Sequence, residues 1–266
     1  MLDACINSIR DEGLSKNLLL ASTSIVLAEA EYLARGPDMT LFSIPGSDNV
    51  PPAMTTADMK RVYAGTFVKS KVTRGMYDLL KAAPRNDMCP LCAQRTVSTL
   101  DHYLAQAFHP ALTVVPLNLV PACSECNKLK LDYQPSSEAQ QSFHPYFDDF
   151  DDAQWLLAEV VETSPAAVRF SVAAPAGWSA TKISRATRHF EAFRLAALYA
   201  SHAGVEISNI RYSLERVAAS GTAHDVRLHL SERAESARHA QPNAWQTATY
   251  QALAASDWFC AGGFGA

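Results

Sequence analysis

The chain has 266 residues, 48% hydrophobic and 19% charged, with a formal charge of −4 at pH 7, a composition that fits a compact protein of one large or two small domains. No apolar run approaches the roughly 20 residues that span a bilayer, and the charge excludes a protein coated in positive potential while allowing a local basic surface. The N-terminal MLDACINSIRDEG lacks a basic segment followed by an apolar core, so no secretory signal and no membrane partner are expected; the expected compartment is the cytoplasm. There the six cysteines stay reduced and are not presumed to form disulfides.

Residues 1–85 read as a helical region with a basic flank. Leu19, Val26, Ala30 and Leu33 recur at helical spacing before Gly36-Pro37 ends the run. A loop with Pro45, Gly46 and Pro51-Pro52 follows, and a second helical stretch starts near Thr56. From Lys60 to Arg85 seven basic residues face one acid, Asp78, and this cluster, solvated by default, leads straight into a cysteine motif and reads as a phosphate-binding flank.

Residues 86–147 carry the chemistry. Cys89-x2-Cys92 and Cys123-x2-Cys126 present two knuckles of thiolates separated by 30 residues, the ligand set of a tetrahedral structural zinc site. A single CxxC is compatible with redox chemistry; two pairs in a reduced compartment read as metal ligands. The intervening length suits a hairpin, with a strand ending in Asp101-His102. On a strand, these neighbours leave by opposite faces, so they are poorly placed to bond each other and better placed to act on two atoms of something lying across the strand end. After the second knuckle, CSECNKLKLDY reads as a short helix with Asn127 and Lys130 near one face.

This stretch resembles the HNH, or ββα-metal, nuclease family over about 45 residues: the DH pair on the first strand, NLVPAC on the return, and CxxCNxxK opening the helix. The family's third motif position is often histidine; this chain has Asn127, an H-N-N variant also found in the HNH domains of CRISPR effector nucleases. Wider similarity, through LDHYLA and HPYFDDF, is to free-standing bacterial HNH proteins often encoded beside an ATPase in defence loci. The resemblance implies an α+β fold, a mainly helical scaffold around a zinc-clamped ββα module. The implied activity is a Mg²⁺- or Mn²⁺-dependent endonuclease acting on nucleic acid, DNA before RNA. It further implies His102 as general base, Asp101 and Asn127 as magnesium ligands, Asn118 as a brace for the hairpin loop, and Lys128 and Lys130 against phosphate. A non-catalytic zinc-stabilised nucleic-acid-binding module is the first alternative, and an adaptor that cuts only with a partner ATPase is the second.

Residues 148–266 read as mainly helical. LLAEVVE and AAVRFSVA form two strands separated by Ser164-Pro165. Beyond Ser179 the apolar face Ile183, Ala186, Phe190, Phe193 and Ala197 predicts a helix, with further helices near 208–219, 223–239 and 243–256. Trp245, Tyr250, Trp258 and Phe259 read as core packing or a partner surface, His144 as a packing residue, and Cys5 and Cys260 as free thiols.

Overall fold

The computed structural model describes residues 1–265, and the chain forms two compact units, Met1–Asp148 and Asp149–Ala266. Among the described residues helices dominate and the strands pair as two-stranded antiparallel sheets, so the fold is mixed α+β and mainly helical. Among the described residues no helix is long and apolar enough to cross a membrane.

In the first unit, helix α1 (Leu2–Ser8) leads into α2 (Glu12–Leu20), whose N-cap Asp11 accepts a hydrogen bond from the Leu14 amide at 3.0 Å. Helix α3 (Ser22–Arg35) follows and ends at Gly36. A Cβ at Gly36 would lie 2.4 Å from the Phe147 ring, so only glycine lets that aromatic close over the helix end. The expected helices form, but they bury a different face. Leu14, Leu18, Ala21, Ile25 and Tyr32 are covered, while Leu19, Val26 and Leu33 are 58%, 55% and 48% exposed. The segment is apolar on more than one side, and periodicity fixes a helix without saying which side the rest of the chain covers.

The loop carries a minimal hairpin, β1 (Asn49–Val50) and β2 (Met54–Thr55). Helix α4 (Thr56–Arg61) is started by a Thr55–Asp58 capping box and continues into a π-helical turn over Val62–Phe67. Ser70 then caps α5 (Lys71–Lys81), which packs on the hairpin of β3 (Thr99–His102) and β4 (Leu119–Ala122). The two strands pair antiparallel with Asp101 opposite Val120 and His102 opposite Leu119. Helix α6 (Ser124–Lys130) starts directly from β4, completing a ββα unit. This unit and the N-terminal helices share one core: His144, next to the module, accepts or donates at 2.8 Å to the Tyr32 hydroxyl of α3 and is buried against Tyr103.

The second unit holds the expected hairpin, β5 (Leu156–Val161) and β6 (Ala167–Val172), in antiparallel register. Helix α7 (Ala180–Ala192) stops where Arg194 adopts a left-handed conformation, φ 51°. The chain restarts as α8 (Leu195–Ser220), so the segment expected at 208–219 is the second half of one 26-residue helix. The break also removes Ala197 from the predicted face, leaving it exposed. Helices α9 (Ala223–Ala240), α10 (Trp245–Ala255) and α11 (Asp257–Cys260) complete the unit, with Trp245, Tyr250 and Phe259 in its core.

Candidate functional site

The four cysteine sulfurs of Cys89, Cys92, Cys123 and Cys126 lie within 4.8 Å of one another and are all buried. Local backbone explains the convergence. Cys89 and Cys92 sit on a tight turn in which Ala93 takes φ 47° and its amide bonds back to the Cys89 carbonyl at 2.7 Å. Cys123 is the N-cap of α6, so Cys126 falls in the helix's first turn. Backbone amides aim at two of the sulfurs, Arg95 at Cys92 (3.5 Å) and Cys126 at Cys123 (3.3 Å), an arrangement that favours sulfur carrying negative charge. Crowding shifts the thiols in opposite directions: hydrogen bonds from Cys126 and then Cys89 drive Cys92 down, and the Cys89 contact drives Cys126 up. No disulfide links them. Four thiolates at ~2.3 Å from one ion stand ~3.8 Å apart, so the cluster fits a tetrahedral thiolate-bound ion.

Asp101 and His102 leave β3 on opposite sides, and both are buried. The Asp101 carboxylate receives the Lys130 ammonium at 3.1 Å, and the same ammonium donates to the His102 carbonyl at 2.6 Å. Burial raises the pKa of Asp101 above the usual carboxylate range, with Lys130 opposing the rise. The His102 ring places Nε2 3.0 Å from the Thr113 carbonyl. A carbonyl only accepts, so Nε2 carries the proton and Nδ1 keeps its lone pair. Burial lowers the His102 pKa to about 4, and the ring is neutral near pH 7. Tyr63 of the π-helical turn packs edge-on against it, ring centres 4.6 Å apart.

Asn118 lies fully buried at the start of β4 and closes the hairpin loop from inside. Its Oδ1 accepts from the Leu104 amide (2.7 Å), and its Nδ2 donates to the carbonyls of Leu104 (3.0 Å) and Leu112 (3.2 Å). Because Thr113 follows Leu112, these bonds also hold the carbonyl that orients His102. Asn127, half-buried on α6, shares a cleft of about 450 Å³ with Asp101, His102, Lys60 and Tyr63, and its side chain has no hydrogen-bond partner among the described residues. Lys128 is exposed on α6. Lys130, expected against phosphate, is turned inward onto Asp101 with its side chain 9% exposed. Tyr63 and Thr113 went unread in the sequence, and Lys60 was read only as part of the basic flank. Tyr63 lies some forty residues upstream of His102 with no motif around it, and Thr113 acts through a backbone carbonyl, which any residue type provides.

No family model matches the chain, and no solved structure matches it. The chain is similar to Protein ea31 of Escherichia phage lambda, 28% identical over 284 aligned residues, a match covering 98% of this chain and 95% of that protein.

Proposed function

We propose that the chain is a metal-dependent endonuclease of the HNH type that hydrolyses phosphodiester bonds, with DNA as its substrate. The observation that carries this reading is one cleft in which a neutral histidine with an open Nδ1, a buried carboxylate and an unpartnered asparagine converge, at the foot of a hairpin clamped by four cysteines. Cys89, Cys92, Cys123 and Cys126 would hold zinc as a structural ion. Asp101 and Asn127 are hard oxygen donors suited to Mg²⁺ or Mn²⁺, and Asp101 already accepts one cation, the Lys130 ammonium at 3.1 Å. The divalent ion supplies neutralisation of the phosphate and of the departing 3′ oxygen. His102 takes a proton from water at Nδ1 while Nε2–H stays fixed on Thr113, so the ring becomes a cation only as the attack proceeds. Asn118 holds the loop that sets this geometry. Lys130 must yield Asp101 to the divalent ion, and Lys60, which lines the cleft, and Lys128, exposed on α6, are the ammonium groups offered to phosphate.

A second reading, the adaptor that cuts only beside a partner ATPase, is favoured by the exposed apolar side chains of α2 and α3, Leu19, Leu27 and Leu33 among them.

The proposed metal ligands are tested by a divalent-metal titration of cleavage. Asn127→Ala leaves Asp101 as the remaining protein ligand, and half-maximal activity should move to at least about tenfold higher Mg²⁺. Raising Mg²⁺ or Mn²⁺ should partly restore the rate. Asn127→His should retain activity and prefer Mn²⁺, since imidazole suits the softer ion. A titration curve for Asn127→Ala that overlays wild type would remove Asn127 from the site.

A further inference from the structure

A second, larger cleft lies on the other side of the wall that Tyr63 belongs to. It has a volume of about 880 Å³ and is formed by the corner between α1 and α2, the π-helical turn, and the first turn of α5. Arg10, Arg61, Lys69 and Lys71 line it, against a single acid, Asp11. That acid is committed to Arg61 at 3.1 Å, and Arg61 also reaches Asp58 at 3.6 Å. Arg10, Lys69 and Lys71 are exposed and have no ion pair among the described residues. Three uncompensated cations therefore share one concavity in a chain whose formal charge is −4. The floor is small: Gly65 lines it, and a Cβ built there would meet nothing within 4 Å, so a ligand can approach the backbone closely. Ile9, Leu14, Ala64 and Val72 add apolar lining beside these cations, and the uncompensated charge selects for an anionic ligand.

The wall between the two clefts is the segment 60–66. Lys60 and Tyr63 face the His102 cleft, whereas Arg61, Ala64, Gly65 and Thr66 face the basic one. A helical wall is ~10–12 Å across with its side chains, and a duplex strand advances ~3.4 Å per nucleotide. A strand with one phosphate at His102 thus reaches the basic cleft about three nucleotides away. We propose that this cleft is the track for the phosphodiester backbone flanking the scissile bond, with Arg10, Lys69 and Lys71 each taking a phosphate of duplex DNA. The proposal rests on the nuclease reading, and it assigns contacts outside the reacting centre: Arg10 lies far in sequence from the basic flank of 60–85, and Arg74 of that flank pairs instead with Asp78 at 2.9 Å.

The test is equilibrium binding of the zinc-loaded full-length protein to a labelled duplex of about 20 base pairs, with no Mg²⁺ or Mn²⁺ added so that nothing is cut, across a salt titration. Each phosphate contact contributes ~0.9 to the slope of log affinity against log salt. The triple variant Arg10→Gln, Lys69→Gln, Lys71→Gln should therefore lose between about two and three from that slope and bind at least about tenfold more weakly, for any duplex sequence. Arg216→Gln, an exposed cation of the other unit, should leave the slope within about one of wild type. An unchanged slope in the triple variant overturns the proposal. So does a wild-type chain that binds no duplex, or one that prefers poly-glutamate to DNA through the same three residues. Because binding is read without added Mg²⁺ or Mn²⁺, a protein that cuts normally with an unchanged slope loses only this cleft assignment. A protein that never cuts but shows the charge-dependent slope loses only the nuclease reading.

Discussion

His102→Ala should lower phosphodiester cleavage by about 10²- to 10⁴-fold, the usual contribution of a positioned general base, and no concentration of Mg²⁺ or Mn²⁺ should restore it. The structure adds a condition to this expectation. His102 is buried and its Nε2–H satisfies the Thr113 carbonyl, so alanine leaves that acceptor unpaired and costs about 1–3 kcal/mol of stability. His102→Gln separates the two effects, since its Nε2 amide reaches as far as the histidine Nε2 and can donate to the same carbonyl but is not basic. Thermal melting of both variants should place the glutamine form nearer wild type, while a nicking assay should find both inactive. Full activity in the glutamine variant would assign the base elsewhere; His109, buried in the hairpin loop and lining a separate small cavity, is the next histidine in sequence.

If the four-cysteine cluster holds zinc as proposed, Cys126→Ser should release it and loosen the whole ββα unit. A three-thiolate site binds far more weakly, and binding free energy at a structural zinc site is folding free energy. With Cys126 fully buried in the first turn of α6, the loss should lower the melting temperature of the first unit on the order of 10 °C. Metal analysis of reduced protein should give about one zinc per wild-type chain and almost none for the variant. Cys5→Ser, a thiol equally buried in α1 but distant from any other cysteine in sequence, should keep its zinc. Zinc retained at wild-type level by Cys126→Ser, or absent from wild type, contradicts the clamp.

What the sequence disclosed was local. Cysteine spacing, the Asp101-His102 pair and the short helix after Cys123 are set by neighbours within a few residues, and the hairpin and α6 form where that spacing places them. The strands at 156–172 were equally legible, because alternation and the intervening Ser164-Pro165 are local signals. The misread features depend on partners far along the chain. Leu19, Val26 and Leu33 have the right period but the wrong side, since coverage of α3 is decided by Phe147 and His144, more than a hundred residues later. The stop at Arg194 requires a left-handed residue where no glycine or asparagine announces one. Lys130 has the spacing of a surface cation on α6, and only the depth of Asp101 turns it inward. Tyr63, whose ring packs on His102, sits in the π-helical turn that follows α4, a distortion that side-chain periodicity does not encode.

Proposed hydrolysis of a phosphodiester bond by His102, Asp101 and Asn127 with a divalent ion is put to the test by incubating the zinc-loaded, full-length protein with supercoiled plasmid, with Mg²⁺ or Mn²⁺ and with EDTA, and then offering the products to DNA ligase. Open circles should appear with Mg²⁺ or Mn²⁺ and not with EDTA. Ligase should reseal them, because attack by water with departure of the 3′ oxygen leaves a 5′ phosphate beside a 3′ hydroxyl. Plasmid that stays supercoiled at every Mg²⁺ and Mn²⁺ concentration, cutting that persists in EDTA, or nicks that ligase cannot close would contradict it.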